Sequence, residues 1–187
     1  VKSAVGVGGG VEDGRAAVGG RVGGSMGGGF TAAGASHAVG VGVAVAALEA
    51  IRAHAEAAYP EECCGALVGW SGGVGGRGRG RVVVRAIPTG NGAVRGRGRR
   101  YLIPGEVVRV VEAEARAAGL AVVGFYHSHP DGSAEPSRSD RELAWPWYSY
   151  LIAGVSGGRA GAIRGWRLRD DRATFEPETL WLAGEEA

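Results

Sequence analysis

The chain has 187 residues, enough for one ordinary domain and short of two. Apolar residues make up 45% of it, so a packed core is available and wholesale disorder is excluded. A net charge of +2 excludes binding to polyanions through bulk charge, so nucleic acid is not the expected partner.

Of the 37 glycines, fifteen lie in residues 1–45, without the triplet period of collagen. Residues 1–37 therefore read as a disordered Gly-rich tail, dispensable for the single domain expected over 38–183. The chain begins with Val1 rather than Met, which fits a non-standard start codon or a start assigned too far upstream. Glu12 and Asp13 interrupt the place where a signal peptide would sit, and Ala38 to Leu48 is too short to span a bilayer. A cytoplasmic protein with no membrane contact is the expectation. Two free thiols, Cys63 and Cys64, fit that compartment, and as strand neighbours they point to opposite faces and cannot pair.

Val41, Val43 and Val45 alternate as a strand does, and Leu48, Ile51, Ala55 and Ala58 follow at helical spacing up to Tyr59-Pro60. Cys63 to Trp70 reads as a strand, residues 71–80 as a Gly/Arg hairpin loop, and Arg81 to Ile87 as a second strand. Thr89 to Arg100 is another Gly/Arg-rich loop. Pro104 opens a helix to about Ala118, closed by Gly119. Leu120 to Tyr126 is apolar on both faces, the mark of a central strand. Ser137 to Ala144 reads as a helix, Trp147 to Val155 and Ala162 to Leu168 as strands, and Thr174-Phe175 as a short extended piece. No internal repeat is present. The sum is a mixed α/β domain.

The chemistry gathers after the central strand. His127 and His129, two apart, project from one face, and Asp140 follows in the run Ser137-Arg138-Ser139-Asp140. Two imidazoles and a carboxylate with one open position make a catalytic rather than a structural zinc site. Each part also has a plainer reading. Ser-x-x-Asp ahead of a helical turn is a capping box, and Glu61-Glu62 can be solvated loop carboxylates.

The combination resembles a known family. His127-x-His129, seven residues, then Ser137-x-x-Asp140, with Glu62 upstream in Pro60-Glu61-Glu62-Cys63-Cys64-Gly65, is similar to the JAMM (MPN-plus) zinc metallopeptidases. The likeness extends over most of residues 40–180 and includes His54, Gly69 and Gly124-Phe125-Tyr126. It implies a cytidine-deaminase-like mixed sheet flanked by helices. It also implies one Zn2+ per chain on His127, His129 and Asp140, with Glu62 as general base and Ser137 steadying the oxyanion. Within the family the chain looks like the short bacterial members that process sulfur carriers, of the CysO-cysteine peptidase type. The expected partner is then a ThiS- or MoaD-like ubiquitin-like carrier, cleaved after its C-terminal Gly-Gly to release cysteine or a short extension. A non-catalytic module that only binds such a protein is the alternative.

Other histidine-based hydrolases fail on inventory. A metallo-β-lactamase needs a histidine where Gly132 stands, and phosphoesterases of the polymerase-and-histidinol type need more histidines downstream. Cytidine deaminases need C-x-x-C beside their H-x-E, and C-x-x-C is absent. Eight arginines and no acidic residue lie between Cys63 and Gly105, which reads either as a basic surface or as loop filler from GC-rich codons. Lys2 is the single lysine and Asn91 the single asparagine, a skew of the same kind.

Overall fold

Alternation along the central strands serves two apolar layers, and that divides the molecule into three. The computed structural model describes residues 40–72 and 80–183; the expected tail, 1–37, and most of the 71–80 loop lie outside them. The strands are β1 (Val41–Ala44), β2 (Cys64–Ser71), β3 (Arg81–Thr89), β4 (Ala121–Pro130), β5 (Ser149–Ser156), β6 (Arg159–Leu168), β7 (Phe175–Glu178) and β8 (Leu180–Ala183). The helices are α1 (Val45–Ala58), α2 (Gly105–Ala117) and α3 (Arg138–Leu143). All eight strands form one mixed sheet in the order β7-β6-β5-β4-β2-β3-β1-β8.

One face carries Cys63, Leu67, Val83, Leu151 and Val155, covered by Ala47, Ile51 and Ala55 of α1. The other carries Cys64, Ala66, Val68, Phe125 and Ile152, covered by Val108, Val111 and Ala115 of α2. Each fully buried Leu or Ile among these contributes about 1.5–3 kcal/mol, so the two layers hold the sheet from both sides. Adjacent Cys63 and Cys64 fall in different layers, as expected of neighbours in an extended chain. Burial pushes both thiols up to about 11, so they act as small apolar side chains rather than nucleophiles.

The first strand is shorter than its alternation predicts. Val45 opens α1 and is 47% exposed, because β1 stops at Ala44 and the chain turns over the sheet. The central strand is longer: β4 runs on through His127, Ser128 and His129 to Pro130, paired in parallel with β5 to its end. Two glycines permit close strand packing. A Cβ on Gly69 would sit 1.8 Å from the Val82 carbonyl oxygen, and one on Gly124 2.0 Å from that of Ser149. Only glycine fits at either position.

Candidate metal centre and active site

β4 lies in the middle of the sheet, so its C-terminal end projects side chains from a fully supported backbone. Cys64 pairs with His127 across β2 and β4. Glu62, two residues before Cys64, therefore shares its face and lies across from His129. Ser128 points the opposite way and staples the two strands: its Oγ accepts from Cys63 N at 2.9 Å, and its N–H donates to the Cys63 carbonyl at 3.2 Å.

After Pro130 the chain reverses and returns at α3. Ser137 caps this helix: its Oγ accepts from Asp140 N at 3.2 Å, and its own N–H donates to Asp140 Oδ2 at 2.6 Å. The plain capping-box reading of Ser-x-x-Asp is thus met. The box also aims the Asp140 carboxylate at the histidines. His127 Nε2 and His129 Nε2 are 3.1 Å apart, and Asp140 presents one oxygen to each, at 3.3 and 3.4 Å.

Those separations test the donor set. Four-coordinate zinc with bonds of about 2.0–2.1 Å needs ligand atoms about 3.3–3.4 Å apart along each edge of its tetrahedron. The two nitrogens, 3.1 Å apart, and the Asp140 oxygens, one 3.3 Å from His127 Nε2 and the other 3.4 Å from His129 Nε2, lie close to that spacing, and the three residues cluster as a possible metal set. The His129 ring is oriented by Nδ1, which donates to the Ser133 carbonyl at 2.8 Å and turns Nε2 towards the centre. Tyr101 stacks on the His127 ring at 4.5 Å between centroids and fixes its plane.

Electrostatics separates the two carboxylates. Burial by itself raises the Asp140 carboxyl, but the charge of His127 and hydrogen bonds from both imidazoles and Ser137 outweigh it and hold it well below the usual carboxylate range. Burial lowers His129, and the hydrogen bond and charge of Asp140 more than reverse that. Glu62 is only 5% exposed, and burial pushes its carboxyl up to about 8, partly offset by His129 and reinforced by Asp140. One acid is held ionised, as a ligand must be, and the other is poised to take up and release a proton near neutrality.

All five residues singled out from the sequence are therefore close together. Sequence reasoning missed what holds Glu62. It stands outside the sheet ladder, and a loop clasps its backbone: Glu62 N donates to the Arg97 carbonyl at 2.7 Å, and Asn91 Nδ2 donates to the Glu62 carbonyl at 3.0 Å. Asn91 fills its remaining capacity with Arg100 O at 2.9 Å, Ala93 N at 3.0 Å and Leu102 N at 3.3 Å. Its being the single asparagine of the chain was the one available signal. Replacing Asn91 by Ala is expected to lower kcat about tenfold or more with zinc content and KM little changed, measured by steady-state kinetics and elemental analysis. Equal kcat would mean that the loop holds Glu62 without it.

A three-layer α/β sandwich with H-x-H at the end of its central strand, an aspartate on the helix that follows and a buried glutamate facing them is laid out as a metallohydrolase domain. The chain belongs to the family described as prokaryotic homologs of the JAB domain, which matches residues 44–169. The desampylase of Haloferax volcanii is 43% identical over 99 residues, 52% of this chain and 66% of that protein. The CysO-cysteine peptidase of Mycobacterium tuberculosis is 34% identical over 131 residues, 70% of this chain and 84% of that protein. Solution structures of proteins from Salinibacter ruber and Desulfitobacterium hafniense superpose with TM-scores of 0.61 and 0.65, at 37% and 26% identity. Each alignment covers 78% of this chain and 94% of the other.

Proposed function

We propose that this chain is a zinc metallopeptidase that hydrolyses the amide bond after the C-terminal Gly-Gly of a small ubiquitin-like sulfur carrier of the ThiS/MoaD type. The observation that carries the reading is the cluster of His127, His129 and Asp140 faced by a buried carboxyl on Glu62. The names of the desampylase and the CysO-cysteine peptidase support it.

Bound zinc supplies a Lewis acid that brings water towards ionisation at neutral pH and polarises the scissile carbonyl. Glu62 takes the proton of the attacking water on its carboxylate and passes it to the leaving amine. Ser137 is exposed, and its Oγ already accepts from Asp140 N, so its hydroxyl hydrogen is left to donate to the developing oxyanion. A glycine tail suits the site because an extended chain without side chains can lie against the backbone beside the metal.

A module that only binds a ubiquitin-like protein has no use for a buried, raised carboxyl beside a metal site, since burying it costs stability. Among the described residues no helix is long and apolar enough to cross a membrane. The reading expects a cytoplasmic enzyme.

The test offers the enzyme a ThiS-like carrier from its own genome, extended after Gly-Gly by one cysteine or by a five-residue peptide, with products read by mass. Cleavage at Gly-Gly is expected, with free cysteine the leading product. Cleavage of neither substrate by zinc-loaded protein would overturn the substrate assignment.

A further inference from the structure

Asp131, the second residue after His129, holds a left-handed backbone at φ 51°. Glycine adopts that conformation freely, whereas a residue with a Cβ keeps it only where its surroundings hold it there. Here the hold is a pair of long-range hydrogen bonds. Asp131 Oδ2 accepts from the Tyr59 hydroxyl at 3.0 Å, and Oδ1 accepts from Gly157 N at 3.1 Å. Both partners are themselves anchored. Tyr59 closes α1 and packs against the core, and Gly157 lies at the tip of the β5–β6 hairpin. That hairpin is tied to α1, since Glu56 Oε1 accepts from Ala160 N at 3.0 Å and Arg52 donates to the Gly161 carbonyl at 2.6 Å. No step of the hydrolysis uses Asp131, and water alone satisfies an exposed carboxylate. Its two distant partners therefore ask for another account.

The position of Asp131 supplies one. Ser133, whose carbonyl accepts from His129 Nδ1 at 2.8 Å, lies in the same exposed turn, two residues on. Just beyond it, the carbonyl of the buried Ala134 accepts from Trp166 Nε1 at 2.9 Å. Asp131 and Ala134 thus pin the turn on either side of the carbonyl that orients His129. A turn released at Asp131 would let that carbonyl drift from the ring. Outer hydrogen bonds of this kind set both the orientation of a ligating histidine and its affinity for metal. Tyr59 adds a second link, because it stands three residues before Glu62. One hydrogen bond joins the segment that bears the general base to the turn that sets a ligand.

We propose that Asp131 is a positioning residue for the metal centre: through Tyr59 and Gly157 it fixes the 130–133 turn so that the Ser133 carbonyl keeps His129 Nε2 towards the metal. This rests on the metal-centre reading above and deepens it, since Asp131 acts through His129.

Asp131→Gly removes both hydrogen bonds and suits the left-handed backbone, so the turn loses its ties without gaining strain. Zinc affinity of the full chain, measured by competition with a chromophoric chelator, is expected to weaken about 10–100-fold. Asp131→Asn can remake both bonds, its oxygen accepting from Gly157 N and its amide donating to the Tyr59 oxygen, and should stay within about threefold of the wild type. Tyr59→Phe, which loses one bond of the two, should fall between them. Cobalt in place of zinc reports geometry: its visible bands should change in Asp131→Gly and match the wild type in Asp131→Asn. Urea unfolding of the metal-free proteins should give Asp131→Gly a midpoint close to that of the wild type. Unchanged zinc affinity in Asp131→Gly would overturn the proposal. So would a loss of metal-free stability as large as the loss of affinity with the cobalt bands unmoved, which would make Asp131 a plain structural tie. Equal weakening in Asp131→Gly and Asp131→Asn would overturn it in favour of bare negative charge near the cation. A wild type that binds no zinc would overturn the metal-centre reading, and this inference with it. Carrier cleavage plays no part in these measurements, so failure of the substrate assignment is seen separately.

Discussion

Glu62→Gln is expected to lower turnover about 10²–10⁴-fold while zinc stays at one per chain, as measured by kinetics and elemental analysis on the same preparation. The substitution keeps the shape of the side chain, removes the base, and touches none of His127, His129 or Asp140. It should also change stability in the opposite direction. Burial raises the Glu62 carboxyl from its ordinary 4.5 to about 8 in the fold. A carboxyl raised on folding stabilises most when protonated. Its contribution is complete below about pH 4.5 and is lost as pH rises through 8. In metal-free protein at pH 9, Glu62→Gln should therefore be more stable than the wild type, by on the order of 1–3 kcal/mol in denaturant unfolding, and the gap should close towards pH 5. A variant both slower and more stable marks a residue kept for chemistry. Full activity in Glu62→Gln would favour the binding-module reading.

His129→Ala and Asp140→Asn are expected to abolish bound zinc and to cut kcat/KM about 10³-fold or more, since the metal's several kcal/mol at the transition state go with it. Asp140→Asn is the cleaner of the two. Its amide oxygen can still accept from Ser137 N, so the α3 cap survives and the loss reports on the metal. Retained zinc with full activity in either variant would place the metal elsewhere. Circular dichroism separates metal loss from unfolding.

The candidate site was legible because most of it is local in the chain. His127, His129, Ser137 and Asp140 fall within one strand, one turn and one helix start, where side-chain direction follows from spacing. The long helix was legible for the same reason: Pro104 and Gly119 bracket an apolar stripe of Val108, Val111 and Ala115, and α2 runs Gly105–Ala117. What was not legible depends on distant partners. β8, Leu180–Ala183, shows no alternation, with Leu182 64% exposed, and is a strand only because β1 offers a parallel edge. Val45 read as the last residue of a strand until the chain's turn into α1 decided otherwise. Asn91 left no pattern, because its hydrogen bonds go to backbone groups as far away as Glu62. Arg81 gave no sign that it would meet the buried Glu178, 97 residues on, at 3.4 Å. Burial raises Glu178 as well, against the charge of Arg81, yet among the described residues it joins no metal set.

The central claim is that His127, His129 and Asp140 hold one zinc ion on which hydrolysis depends. Zinc titrated into chelator-stripped protein, with cleavage of a Gly-Gly-Cys carrier followed at each addition, tests it most directly. Activity rising in proportion to zinc and levelling at one equivalent per chain, with no rise in Asp140→Asn, is the predicted result. Cleavage already complete in the stripped protein, or a plateau of activity that Asp140→Asn reaches equally, would contradict it.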